Sequence, residues 1–509
     1  MSTSVVISFA IYLVLMLGIG IYFYLSTRDL SDYILGGRNL PAGVAALSAG
    51  ASDLSGWALM GLPGAIFSGG LSQAWMAVWT LVGVYLNWSL IAARLRVFTE
   101  AAGNALTVPD YFEARFVDRQ RILRTVSSIV MLVFFTFYVS AGLVGGAVLF
   151  ESLFHVDYLV ALWVGAAVIV SYTFLGGFLA ASWTDLVQGL MMAAALLVVA
   201  IMTLLALING GSFAESSSAA DIAPLSGLME GMTVVGMLSL SGWAIGYCGQ
   251  PHVVVRFMAL RRREDVKISR RIAMIWSTIT MGSAVAVGAL GYYWFNGGLE
   301  NSERVFILLS NVMLNPWVAG FVLAGVLAAI MSTVDSQLLV CSSTLAEDIY
   351  RGFLRPAASQ RELIWLSRLS VLAVALLATA MANDPDSSIL DLVSYAWGGF
   401  GAAFGPVILL SLFWRNMSRN GAVAGLVVGA LTVAIWKPLS GGPAGIFDMF
   451  EVVPGFLSSL LAVVVVSLLS DNRRERECFD GLMSVWQRDT DTNESSAQPA
   501  TQLKGENHE

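Results

Sequence analysis

Thirteen apolar stretches, each about 20 residues long, dominate this 509-residue chain, and about 20 apolar residues is the length at which a helix crosses a hydrocarbon core. They centre near residues 15, 57, 84, 138, 167, 194, 242, 283, 330, 372, 401, 428 and 460. In lipid every backbone N–H and C=O needs an internal partner, so segments of this kind are helical. The expected fold is an all-α integral membrane protein with thirteen transmembrane helices over residues 1–470. A composition of 57% hydrophobic and 12% charged residues agrees. Residues 471–509 are rich in charge, Ser, Thr, Gln and Asn, and read as a mobile tail; the outer connection 209–228, rich in Ser, Gly and Ala, reads as a surface loop.

Charge sets the orientation, because short cytoplasmic loops collect Lys and Arg. With the N-terminus outside, the inner loops hold Arg28 and Arg38, the runs 94–124, 256–271 and 351–368, and Arg415 and Arg419. Of 28 basic residues only Arg304 and Lys437 then lie outside. An odd number of crossings places the tail in the cytoplasm. The net charge of −7 comes from loops and tail and points to no partner. The first apolar segment lacks a basic n-region and a small-residue cleavage pattern, so it reads as helix 1 and not as a removed signal peptide.

Two apolar segments are interrupted at mid-depth, by SAGASDLSGW at 48–57 and by LSGWAIGYCGQP at 240–251. Small, polar and glycine residues there free backbone groups that lipid cannot satisfy, so such stretches persist only inside protein or along a cavity. Glycine-broken segments at matching places in two halves are the sequence pointer to a transporter's binding site. Ser55-Gly56-Trp57 and Ser241-Gly242-Trp243 lie five helices apart, in helices 2 and 7. Five being odd, the two units would insert with opposite orientations.

Ionisable groups within the spans are few: Asp53 in helix 2, Asp185 near the inner end of helix 6 and Asp335 in helix 9. A charge at the bilayer centre costs about 2.5 to 3.5 kcal/mol on insertion scales, so each demands a polar interior, an ion path or a structural role. Helix 9 places Ala329, Ser332 and Thr333 on one face. Two hydroxyls with freed carbonyls, from Ala51 and Leu54 of helix 2, suit a hard monovalent cation such as sodium. The same hydroxyls could equally bond back to carbonyls one turn earlier. Trp57, Tyr138, Trp243 and Tyr247 cluster around the breaks, as walls of an apolar pocket or as packing and belt residues. Half-helix N-termini at such breaks suit a carboxylate, and the combination fits a small zwitterion with an apolar body.

Catalytic signatures are missing. His155, His252 and His508 are too far apart for a helix-spaced metal pair, and no GxxxxGK[ST] occurs for ATP-driven transport. Cys248, Cys341 and Cys478 form neither a disulfide framework nor a CxxC site. No enzyme activity, cofactor, nucleic acid or obligate protein partner is expected. Transport driven by a gradient remains.

The motifs DYILGGR at 32–38, LSAGASD at 47–53, GLPGA at 61–65, LTVPDYF at 106–112, GGFLA at 176–180 and GQPH at 249–252 resemble the sodium:solute symporter family, and its bacterial proline-carrying members in particular. The resemblance implies an inverted repeat of the leucine-transporter type, helices 2–6 over about 41–208 and helices 7–11 over about 229–415. It implies sodium at the Ala51 and Leu54 carbonyls with Ala329, Ser332 and Thr333, and sodium coupling through Asp53 and Asp185. It implies a proline pocket at Ser55, Trp57, Gly61, Tyr138, Trp243, Tyr247 and Pro251, with Gly320 beside them. Inward sodium-coupled uptake of L-proline across the bacterial cytoplasmic membrane follows, with one ion per substrate. Pantothenate, sugars or acetate as substrate, proton coupling, and a solute-binding membrane sensor are the alternatives. Two positions depart from the family pattern. Leu54 stands where Met is expected, which leaves a carbonyl role intact. Asp335 stands where Ser is expected; about 200° around the helix from Thr333, it is expected to face away from the ion and toward the inner vestibule.

Overall fold

The computed structural model describes residues 3–26, 29–175, 177–210, 225–384, 387–441 and 443–497. Arg28, most of the outer connection 209–228 and the last stretch of the tail, 498–509, lie outside the described residues. Ten helices are long and apolar enough to cross a membrane: α1 (Thr3–Leu25), α3 (Leu71–Ala101), α4 (Ile122–Phe154), α6 (Phe178–Ile208), α8 (Asp265–Phe295), α9 (Pro316–Leu354), α10 (Gln360–Met381), α11 (Ile389–Phe413), α12 (Arg419–Leu439) and α13 (Val452–Leu469). Shorter apolar helices stand at the remaining three places: the second part of α2 (Trp57–Gly69), α5 (Tyr158–Ser171) and the first part of α7 (Val234–Gly249). Leu25, Ile208, Leu468 and Leu469 project outward, the surface a hydrocarbon solvent covers.

The two interruptions are broken to different degrees. In α2 the helix Ala42–Asp53 bends at Leu54 and resumes through a wide turn, Trp57–Gly61, into Leu62–Gly69. Wide turns of this kind commonly mark functional sites. In α7 the helix Val234–Ile245 gives way to a tight turn, Gly246–Gly249, then to extended Gln250, before Pro251–Ala259 resumes. Pro251 supplies no N–H to the Tyr247 carbonyl one turn earlier. That carbonyl instead accepts from Asn87 Nδ2 of α3 at 3.2 Å. Leu40 N donates to Ala259 O at 3.0 Å and Arg261 N to Leu40 O at 3.1 Å, so the start of α2 is tied to the end of α7.

Close helix contacts use glycine where no side chain fits. A Cβ on Gly429 of α12 would lie 2.4 Å from the Ala402 carbonyl oxygen of α11. Gly429→Val should therefore force these helices apart. The melting temperature of the detergent-solubilised protein should fall by several degrees, while the surviving protein keeps its sodium dependence.

The tail differs from the expectation of a mobile extension: Arg473–Ala497 forms a helix, α14. Its polar composition hid an apolar stripe, since Phe479 and Leu482 are buried and Trp486 packs beside them at helical spacing. Charge pins it further. Arg415 makes a two-pronged bond to Asp480 at 2.7 and 2.6 Å, and Arg263 donates to Asp489 at 2.9 Å.

Candidate functional site

The bend in α2 releases carbonyls that its own helix no longer uses, and side chains from other helices take them. Ser332 Oγ of α9 donates to the Ala51 carbonyl at 2.9 Å, and Thr333 Oγ1 approaches the same oxygen at 3.3 Å. Both hydroxyls also reach the Ala329 carbonyl, at 3.0 and 3.3 Å. The hydroxyls thus bond back one turn and also reach across to α2. Two hydroxyls, each retaining lone pairs, and two carbonyls form a compact all-oxygen group between α2 and α9, a donor set that suits a hard cation. Leu54 sits buried at the bend itself, its N–H held by Gly50 O at 2.9 Å.

Asp53 faces the other way, toward α7 and α11. Its carbonyl accepts from Trp57 Nε1 at 2.9 Å and from the Tyr138 hydroxyl at 3.2 Å. Its carboxylate accepts from Trp397 Nε1 at 3.3 Å, and His252 Nε2 stands 3.9 Å away. Its second oxygen, Oδ2, is buried without a hydrogen bond. Around it Trp57 stacks on Trp243 at 4.8 Å, Trp243 lies 4.9 Å from Trp397, and Tyr247 meets the Trp397 edge at 6.3 Å. Ser55 Oγ accepts from Trp57 N at 3.3 Å within the same cluster. A Cβ on Gly246 would lie 2.4 Å from the Trp397 ring, so only glycine lets α7 approach α11 here.

Asp185 lies deeper toward the Ala42 end of α2. Ser48 Oγ donates to its Oδ2 at 2.6 Å, and Arg256 Nη2 donates to the same oxygen at 3.2 Å. Gln188, three residues on, donates to the Tyr12 hydroxyl of α1 at 2.8 Å. At the opposite end of the fold, Glu303 accepts from Ser388 Oγ, Ile389 N and Leu390 N at 3.2, 3.2 and 3.1 Å and so caps α11. Gly64 of α2 packs against the Glu303 backbone, and Arg304 bonds Glu151 of α4 at 2.6 Å, so one short loop joins three helices there.

The sequence model of the sodium:solute symporter family matches residues 33–429, most of the chain. The chain belongs to the sodium:solute symporter family. A sodium/proline symporter of Salmonella typhimurium is 49% identical over 92% of this chain and 93% of its own length. The high-affinity proline transporter PutP of Bacillus subtilis is 49% identical over 89% and 96%, and the osmoregulated proline transporter OpuE of the same organism 46% over 92% and 96%. Among solved structures, a Na+-coupled sialic acid symporter in a substrate-bound outward-open state superposes with a TM-score of 0.75 at 19% identity, over 92% of this chain and 99% of that one. The symporter shares that fold.

Not every expected residue joins the cluster. Gly320 of this symporter packs against α1, where an added Cβ would lie 2.8 Å from Ser8, and is not brought to the aromatic group. Gly61 faces Leu390 at the α11 cap, with 3.3 Å from an added Cβ to that side chain. Pro251 lines a separate cavity of about 20 Å³ with Thr107, Met131 and Phe178. Asp335 is buried beside Ser336 and within electrostatic reach of Arg256 and Tyr12. It faces another charge and not a lipid surface.

Sequence reasoning missed Trp397, His252, Arg256, Ser48 and Asn87. Arg256 was counted with the inner-loop charges, whereas the structure places it 1% exposed in the second part of α7. Its signal was position: five residues after Pro251, it falls inside any helix that resumes there. His252 belonged to a recognised motif, but no partner for it was visible until α2 and α7 met.

Proposed function

We propose that this chain carries L-proline inward together with sodium by alternating access, one ion per substrate. The observation that carries the reading is the convergence of Ser332 and Thr333 on the Ala51 carbonyl, between a bent α2 and α9. The broken α7 with its Trp243 and Tyr247 rings, met by Trp57 of α2 and Trp397 of α11, supports an apolar recess beside freed backbone groups, chemistry suited to an imino acid's ring and carboxylate. Relatives named as proline transporters at up to 49% identity support that substrate. Thirteen crossings, an inverted repeat of 41–208 and 229–415, and residence in the bacterial cytoplasmic membrane with the N-terminus outside complete the reading. One positive charge moving through 100 mV releases about 2.3 kcal/mol, and a tenfold gradient takes about 1.4 kcal/mol. One ion therefore drives substantial accumulation.

Radiolabelled proline uptake into proteoliposomes tests this. A sodium gradient should concentrate the label, and unlabelled pantothenate, acetate or sugars should not compete. Equal accumulation in potassium-only buffer at fixed pH and voltage would remove sodium. Accumulation that follows an imposed proton gradient instead would assign the coupling to protons.

A further inference from the structure

One guanidinium in this fold joins four helices one turn below the proposed sodium ligands. Arg256 Nε donates to Ser48 Oγ of α2 at 3.0 Å, Nη2 donates to Asp185 Oδ2 of α6 at 3.2 Å and to Ser336 Oγ of α9, and Nη1 donates to His252 O of α7 itself at 2.7 Å. Ser48 precedes Ala51 by three residues, and Ser336 follows Ser332 by four. On α2 and α9 alike, the arginine therefore grips the helical face that presents the sodium oxygens, one turn further toward the ends of α2 and α9 that hold Ala42 and Ser343. Asp185 Oδ1 is buried and makes no hydrogen bond of its own, beside the oxygen that Arg256 and Ser48 hold.

We propose that Arg256 is the positioning residue that couples substrate binding at the break in α7 to the sodium site, an inference that rests on the sodium/proline reading above. Pro251 cuts the hydrogen bonding of α7, so Pro251–Ala259 moves as a short lever. When substrate draws in the Trp243 and Tyr247 turn, the lever shifts the guanidinium. Ser48 and Ser336 move with it, and so does the distance between Ala51 and Ser332. With Arg256 in place the two helices hold the ion group closed, and Asp185 is engaged. When Arg256 withdraws, both Asp185 oxygens are available to an ion leaving toward that end. The coupling is reciprocal by linkage: sodium raises the affinity for proline by the factor by which proline raises the affinity for sodium.

The test is equilibrium binding of radiolabelled proline to the purified full-length protein, with and without saturating sodium, in wild type and in Arg256→Gln, Arg256→Lys and Asp185→Asn. The wild type should show a large ratio between the two dissociation constants. Arg256→Gln should cut that ratio at least tenfold, and Arg256→Lys should restore part of it by keeping a cation beside Asp185. The Arg256→Gln, Asp185→Asn double variant should fall no further than the singles, since both act through one network. An unchanged ratio in Arg256→Gln overturns the inference while leaving the transport reading intact. A wild type whose proline binding ignores sodium overturns the transport reading itself. Should Arg256→Gln not be recovered folded, Ser336→Ala removes one acceptor and keeps the charge. A ratio lowered several-fold then supports the proposal, and an unchanged one overturns it.

Discussion

Thr333→Ala should raise the sodium concentration for half-maximal proline uptake by more than tenfold, with the maximal rate at saturating sodium far less affected. Thr333 Oγ1 stands 3.3 Å from both the Ala51 and the Ala329 carbonyls, in a fully buried group where water cannot replace a lost ligand. A tenfold change corresponds to about 1.4 kcal/mol, which is modest for removing one oxygen from a cation with few ligands. Thr333→Ser retains the hydroxyl and should stay near wild type. Initial-rate uptake in proteoliposomes against sodium concentration makes the measurement, and unaltered sodium dependence would take Thr333 out of the site.

Trp243→Ala should weaken proline binding at saturating sodium by about thirtyfold, about 2 kcal/mol. The Trp243 indole lies between Trp57 and Trp397, at 4.8 and 4.9 Å, and is 3% exposed. Its removal takes away the ring that joins α7 to α2 and α11, the wall of the proposed proline recess. Aromatic pairs of this kind contribute beyond their buried area. Trp243→Phe should recover part of the loss. Equilibrium binding of labelled proline is the readout, and wild-type affinity in Trp243→Ala would refute the pocket.

The oxygen group between α2 and α9 was legible because it depends on local periodicity. Ala329, Ser332 and Thr333 share a helical face whatever the rest of the fold does, and a glycine-rich interruption in an apolar segment frees carbonyls wherever it occurs. Gly320 stands apart from the aromatic cluster, against Ser8 of α1, because small residues on a membrane helix serve both sites and helix contacts, and sequence does not say which. Asp335 shows the limit of angular reasoning. Around Asp335 α9 is buried on all faces, so a side chain turned from one neighbour meets another, here the charge of Arg256. The tail was misread because a charged average conceals Phe479, Leu482 and Trp486, whose spacing makes one narrow stripe.

Sequence alone determined that this chain lives in a membrane, which helices break, and which face of α9 offers oxygen, because length, hydropathy and helical period act within a single segment. Tertiary structure alone decided that Trp397 and His252 meet Asp53, that Arg256 is an interior cation and not a loop charge, and that Gly320 serves packing. These are pairings between segments as far as 344 positions apart in the chain, and no local rule specifies which buried donor a freed acceptor will find until the helices have packed.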